Sequence, residues 1–345
     1  MVLPSYLKFS NNPASALTAS LDVLKPDKAA ILVDEHTHMD CLPLLDSDLP
    51  IIEIRSGEKN KTIDTCALIW QAMTDLGFSR KSLLINVGGG VIGDMGGFAA
   101  STYKRGIRFI NYPSTLLSMV DASIGGKLGV DFKGLKNHIG VFRKPTEVVV
   151  CELFLQTLPH QQIRSGFAEV LKHALIFDEK YWELVKRIQP ESADWSGIIK
   201  HSIEIKGQVV EDDPMETGLR KILNFGHSLG HAIESHFLDT EHELLHGEAI
   251  AIGMVLEGLI SKQRGLLSSM QFEEMMEVIT STYAMVWLPA IDELLVELKQ
   301  DKKNEGENLN FAIIDQIGHC LWDIPVQYDE IELALKTYSN TIQKD

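Results

Sequence analysis

The sequence has no long hydrophobic run. Its most apolar stretch, Ser82–Ala100, is broken by six glycines and Asp94, whereas a membrane-spanning helix needs about 20 mostly apolar residues. Positive charge is also short. Lys and Arg number 32 against 48 Asp and Glu, a formal net charge of −16. Binding to nucleic acid or to anionic lipid rests on Lys and Arg, so neither is an expected partner. Cysteine is sparse: Cys41, Cys66, Cys151 and Cys320 are scattered without a CxxC and read as reduced thiols of a cytoplasmic protein. The first residues, MVLPSYLKFSNNPAS, lack a charged start followed by an apolar core, and read as no secretory leader. There is no internal repeat and no low-complexity tract.

What is there is ordinary globular material, 45% hydrophobic and 23% charged over 345 residues, long for a single core. The first half alternates strand and helix signals. Ala29–Val33, Ser82–Val87, Arg108–Tyr112 and Val148–Val150 are short apolar runs. Lys61–Leu76 has helical spacing and stops at Gly77. Such alternation predicts a parallel sheet covered on both faces. From about Pro159 the patterned segments Ile163–Ile176, Trp195–Val210, Leu219–Ser235 and Glu248–Gly265 are helical, and β-branched residues thin out until Leu309–Ile314. The reading is an α/β domain over 1–158 and a mainly helical domain over 159–345.

Three segments carry chemistry. Asn86-Val87-Gly88-Gly89-Gly90-Val91-Ile92-Gly93-Asp94 follows a strand and opens a helix. Glycines let a diphosphate approach the backbone, and a helix start offers free N–H groups. It is neither a strict GxGxxG nor a P-loop, and a purely structural turn is the competing reading. Asp121–Asp131, with Gly125, Gly126 and Lys127, and then Lys136-Asn137, form a second glycine-and-lysine segment suited to anions, or a plain exposed basic loop. Finally, His227, His231, His236, His242 and His246 crowd into 20 residues with Glu234, Glu241, Glu243 and Glu248. A catalytic zinc site takes three His or carboxylate ligands. His227 and His231 share a helical face, so spacing alone pairs those two. A polar helical face is the bland alternative, and it takes His236 and His242. Glu169 and Lys172 lie three apart inside an apolar run, so burial is expected, and a buried carboxylate needs a partner such as a metal.

Together GGGVIGDMGGF, YKRG, PSTLLSMVDASIGGKLGVD, KNHIGVF, LPHQQIRSGFAEVLKHALI, LRKILNFGHSLGHAIE and LHGEAIAIGM, in this order over about Ser56–Met254, resemble the 3-dehydroquinate synthase family of sugar phosphate cyclases. DKK at Asp301–Lys303 extends the likeness. The resemblance implies a Rossmann-like NAD-binding domain followed by a helical metal-binding domain. It implies the lyase activity EC 4.2.3.4, forming 3-dehydroquinate and phosphate from 3-deoxy-D-arabino-heptulosonate 7-phosphate with regenerated NAD and Zn2+ or Co2+. Glu169, His227 and His246 become the implied metal ligands, which moves His231 to substrate or proton handling. Substrate contacts are implied for Arg105, Asp121, Lys127, Asn137, Lys172, Lys206, Arg220, Asn224, His231 and Lys303. NAD contacts are implied for Asp34, Glu58, Lys61, Gly89, Gly90, Val91, Gly93, Asp94, Ser114, Thr115, Lys127, Lys136, Phe154 and Thr157. His36, Ser114 and Gln162 depart from the family pattern, all toward the cofactor. A homodimer is the family expectation. The rivals are another sugar phosphate cyclase, a metal- and NAD(P)-dependent polyol dehydrogenase, and a folded NAD-binding protein without catalysis.

Overall fold

The computed structural model describes residues 3–133, 135–238, 240–300 and 309–342. The chain forms two compact units, Met1–Pro159 with Trp195–Gly207, and His160–Asp194 with Gln208–Asp345. The segment 195–207 thus groups with the first unit, although sequence patterning runs it together with the later helices.

The first unit contains β1 (Leu7–Phe9), α1 (Pro13–Leu24), β2 (Ala29–Asp34), α2 (Glu35–Asp40), β3 (Ile51–Ile54), α3 (Ile63–Asp75), β4 (Leu83–Gly88), α4 (Gly90–Thr102), β5 (Arg108–Pro113), β6 (Lys127–Phe132), β7 (Leu135–Phe142) and β8 (Glu147–Val150). Six of these strands make a parallel sheet in the order β1-β8-β5-β4-β2-β3. Every residue of β4 is buried, as a strand covered on both faces requires. The helix expected from Lys61 begins at Ile63 because Thr62 caps it, accepting a hydrogen bond from Thr65 N. Its buried stripe of Cys66, Ile69 and Met73 joins Leu32, Leu84, Ile92 and Met95 in one core cluster. Asn86 and Asn111, register partners on β4 and β5, share a buried 2.8 Å side-chain bond. From Lys127 on, the glycine-and-lysine segment is not a loop: β6 and β7 pair as an antiparallel hairpin. Leu128 and Val130 face inward, and Leu128 packs on the bare backbone of Gly97.

The helix α7 (Trp195–Asp212) starts in the first unit and ends in the second. The second unit also holds α5 (His160–Phe177), α6 (Glu179–Val185), α8 (His227–Phe237), α9 (His246–Gln263), α10 (Ser269–Thr282), α11 (Ile291–Gln300), a two-stranded antiparallel sheet of β9 (Leu309–Gln316) and β10 (His319–Val326), and α12 (Tyr328–Ile342). Both α5 and α9 are buried on nearly every face and form its centre. The sequence predicts one helical segment over Leu219–Ser235. The structure breaks it into a 3-10 turn, Leu219–Asn224, and α8, because Gly226 takes φ +78° at the junction. A side chain there would also drive into Met254 of α9. All four cysteines are buried free thiols. Burial pushes Cys41 and Cys66 up to about 12, which removes both as thiolate nucleophiles at neutral pH.

Candidate active site

In the second unit three helices are brought together by glycine. A Cβ on Gly253 would meet the Gly226 carbonyl oxygen at 2.0 Å, and one on Gly247 would meet the Ser165 carbonyl oxygen at 2.0 Å. The first contact lets α8 approach α9, and the second lets α9 approach α5. The start of α9 is further held by Ser165 Oγ, which accepts from Gly247 N at 3.0 Å, and by Glu248, which accepts from Leu245 N at 2.8 Å.

This close packing gathers Glu169 from α5, His227 and His231 from α8, and His246 from α9. Glu169 Oε1 lies 3.4 Å from His227 Nε2 and 3.7 Å from His246 Nε2. His227 Nδ1 lies 3.2 Å from the Phe225 carbonyl oxygen, an acceptor only, so Nδ1 carries the proton and Nε2 keeps a lone pair. His246 Nδ1 lies 3.3 Å from Glu234 Oε2, which turns its Nε2 the same way. This carboxylate–histidine arrangement is the usual outer support of a metal-binding imidazole. A tetrahedral site with bonds of about 2.0–2.1 Å has ligand–ligand edges of about 3.4 Å. The Glu169–His227 separation matches such an edge, so the residues present fit a divalent metal. His227, His231 and His246 also bring ring nitrogens within 4.8 Å of one another. The 227–231 spacing is therefore a genuine spatial pair, with ring centroids 5.0 Å apart.

The Glu169 carboxylate is 0% exposed and its Oε2 pairs with the equally buried Lys172. Burial disfavours a charged His246, but Glu234 and Glu169 outweigh it and push the imidazole up to about 10. The same negative field favours a cation, which must displace that proton from Nε2 to bind there. Around it, Arg220 is buried, its guanidinium donates to Pro214 O at 2.8 Å, and Asp213 anchors its backbone N–H at 3.1 Å. Asn224 Nδ2 donates to Glu216 Oε1 at 2.9 Å.

The first unit carries the glycine turn at the carboxyl ends of β4 and β5, where ligands of parallel sheets bind. The first turn of α4 has no side-chain cap, and Gly89 and Gly90 keep Thr115 and Ala122 at 3.1 Å and 3.6 Å from where a Cβ would be. Gly90, Gly93, Asp94 and Lys127 line one cavity together with Asn111, which sequence patterning did not single out. Lys61 turns inward: its ammonium meets Asp94 at 2.7 Å, Glu58 at 3.7 Å and Asn137 Oδ1 at 2.7 Å. Burial opposes that charge, but Asp94 and Glu58 prevail and hold Lys61 above the ordinary lysine range. Asp34 spends its carboxylate capping α2 through Thr37, and Ser114 and Phe154 are buried. Lys206 Nζ reaches Asp121 twice, at 2.6 Å to Oδ2 and 2.7 Å to the carbonyl. Arg105 sits at φ +69° in a tight turn before Gly106. Lys303 lies outside the described residues. Of the residues that hold the metal-type ligands in place, Glu234 was visible only as one acid among several, and Ser165 gave no signal at all.

A glycine turn on a parallel sheet and a carboxylate–histidine centre in a helical unit define the class of α/β–helical enzymes that includes the sugar phosphate cyclases. The fold matches 2-epi-5-epi-valiolone synthase from Streptomyces hygroscopicus subsp. jinggangensis 5008, solved with NAD+ and Zn2+ bound, at a TM-score of 0.85 and 25% identity over 99% of this chain and 98% of that one. It matches 2-deoxy-scyllo-inosose synthase, complexed with carbaglucose-6-phosphate, NAD+ and Co2+, at 0.85 and 22% over 96% of each chain. Residues 51–165 match the family model for the N-terminal part of 3-dehydroquinate synthase, and 166–304 the model for its C-terminal part. The 3-dehydroquinate synthase of Parabacteroides distasonis is 39% identical over 339 residues, 94% of this chain and 95% of its own length. The chain belongs to the 3-dehydroquinate synthase family. Among the described residues no helix is long and apolar enough to cross a membrane.

Proposed function

We propose that this chain converts 3-deoxy-D-arabino-heptulosonate 7-phosphate to 3-dehydroquinate and phosphate. The observation that carries the reading is the buried Glu169, faced by two imidazoles whose Nε2 atoms are left as ligands by hydrogen bonds at Nδ1. Glu169, His227 and His246 hold a divalent metal, Zn2+ or Co2+. Residues 1–158 form the NAD-binding domain, with the first turn of α4 and Gly89, Gly90 and Gly93 against the diphosphate, and residues 159–345 the metal- and substrate-binding domain. When bound, the cation supplies Lewis acidity toward substrate oxygens, and NAD supplies a hydride acceptor that is regenerated within one turnover.

The protein's own groups do the rest. Arg105, Lys127, Lys172, Lys206, Arg220 and Asn224 are the substrate contacts, and their donors suit the carboxylate and phosphate of an anionic substrate through charge-assisted hydrogen bonds. Asp121 positions the Lys206 ammonium. His231, beside His227, takes and returns protons at its ring nitrogens. The two Nδ1 hydrogen bonds keep His227 and His246 from rotating during turnover. The protein acts as a cytoplasmic homodimer and binds no nucleic acid, which its acidic charge supports.

The test is phosphate release from 3-deoxy-D-arabino-heptulosonate 7-phosphate with zinc present and NAD far below the substrate concentration. Many turnovers per NAD without NADH accumulation are expected. Release that halts at one equivalent of NAD would point to an incomplete cycle in which NADH is not reoxidised, and NADH formed without phosphate release to a polyol dehydrogenase. No release, with turnover of another sugar phosphate, would point to a different cyclase.

A further inference from the structure

Beyond the ligands themselves, α9 carries one charge in an otherwise apolar run. Glu257 lies about three turns after His246 on the same helix, within Ala249–Ile260, and is 0% exposed. Its carboxylate spans the start of α8. Oε2 accepts from Gly226 N at 2.5 Å, and Oε1 accepts from Leu229 N at 3.1 Å. These N–H groups belong to the cap and the third residue of α8, and they flank His227 in the chain. They are donors that a helix leaves open at its start: a serine or aspartate cap would normally take the Leu229 N–H, and a glutamate at the third position the Gly226 N–H. Gly226 has no side chain to do this, and α8 has no side-chain cap of its own. Glycine is required there by φ +78° and by the approach of Met254. The cap is therefore supplied from another helix.

We propose that Glu257 is a positioning residue of the metal centre, fixing the first turn of α8 to α9 so that His227 and His246 keep one spacing. The inference rests on the reading of Glu169, His227 and His246 as metal ligands. The ligand His227 extends from the very turn that Glu257 grips, and the ligand His246 stands on the helix that carries Glu257. The carboxylate is buried, so removing it costs the Gly226 and Leu229 N–H groups their acceptor away from bulk solvent. The charge also lies at the positive end of the α8 dipole, which favours a carboxylate there over a neutral amide.

The experiment uses the full chain stripped of metal, as wild type, Glu257→Gln, Glu257→Ala and Ser261→Ala. Ser261 is one turn further along α9, is equally buried, and donates to Ile314 O away from α8. Co2+ is titrated in, with affinity read by chelator competition and ligand geometry by the visible absorption band. Thermal unfolding of the stripped protein is recorded alongside. Glu257→Gln keeps one acceptor and is expected to weaken Co2+ binding about tenfold, and Glu257→Ala toward a hundredfold, the range for loss of an outer-shell partner, with a changed band in both. Ser261→Ala is expected to lower the melting temperature and leave the cobalt band and affinity as in wild type. If Glu257→Ala does not fold, Glu257→Gln alone decides. Wild-type affinity and band in Glu257→Gln would overturn the proposal, whatever happens to the melting temperature. A wild type that binds no Co2+ would overturn the metal reading itself, and this inference with it.

Discussion

Alanine at Gly253 should dismantle the proposed metal centre without altering Glu169, His227 or His246. The new Cβ would lie 2.0 Å from Gly226 O, 2.8 Å from Gly230 N and 2.9 Å from Gly226 C. All three are backbone atoms, so no rotamer change relieves the clash, and close-packed α8 and α9 must part by about 1 Å. Metal–ligand distances tolerate only about 0.2 Å around bonds of about 2.0–2.1 Å to nitrogen, so a displacement of that size breaks the set. Overpacking costs about 1–3 kcal/mol, and the conformational gain of replacing a helical glycine returns about 0.5–1 kcal/mol. Two glycines give the scale. Gly258, also on α9, would meet the mobile end of Met275 at 2.4 Å, and Gly197 on α7 would meet nothing within 4 Å. The expected order of melting temperature is Gly197→Ala above wild type, Gly258→Ala near it and Gly253→Ala lowest. Only Gly253→Ala should lose zinc in a chelator titration. If Gly253→Ala binds zinc like wild type, the idea that glycine contacts set the ligand spacing is wrong.

Arg220→Ala should raise the KM for the anionic substrate about 10- to 100-fold, the worth of a charged hydrogen bond, and leave NAD affinity unchanged. Equal losses in equilibrium titrations of the two ligands would remove Arg220 from the substrate set. Lys61→Met leaves the half-buried Asp94 beside Glu58 without its cation and should destabilise the first unit by about 1–3 kcal/mol. Denaturant unfolding measures this, and an unchanged midpoint contradicts it. Glu330, at the start of α12, meets Arg264 at 2.6 Å and 2.7 Å, and that hydrogen bond holds its carboxyl below the ordinary 4.5. A lowered native value means that the pair stabilises fully above about pH 4.5 and loses its effect as pH falls through the native value. Such a part-exposed pair is worth about 1 kcal/mol or less, so Glu330→Gln should lower the melting temperature slightly at pH 7 and by progressively less as pH falls below about 4.5. A constant difference across that range would refute the assignment.

Much of the architecture was legible because it is written in local patterns. The apolar runs at 29–33, 82–87, 108–112 and 148–150 became parallel strands, and Gly88–Gly90 became the turn at their carboxyl ends. The apolar flanks of Glu169 and Lys172 announced their burial. The hairpin at 127–142 was missed because lysines and glycines hid the inward alternation of Leu128 and Val130. The break at Gly226 was missed because helical periodicity continues across it, while only the nearness of α9 demands the left-handed glycine. Spacing paired His227 with His231. Glu169 joined the ligand set through the family resemblance, since no periodicity links residues so far apart in the chain.

The sequence by itself determined the four apolar strands of the sheet centre and the long helices, where the backbone is bare of side chains, and which charges must be buried with partners. Those are properties of short stretches, set by period, side-chain size and the cost of desolvating a charge. Only the tertiary structure decided which nitrogen of His227 and His246 is turned toward Glu169, that Lys61 points inward to Asp94, and that Glu257 caps a helix other than its own. Each depends on atoms that meet only after the helices and strands have packed. A hydrogen bond at Nδ1 or a glycine contact at 2.0 Å has no counterpart in the order of residues along the chain.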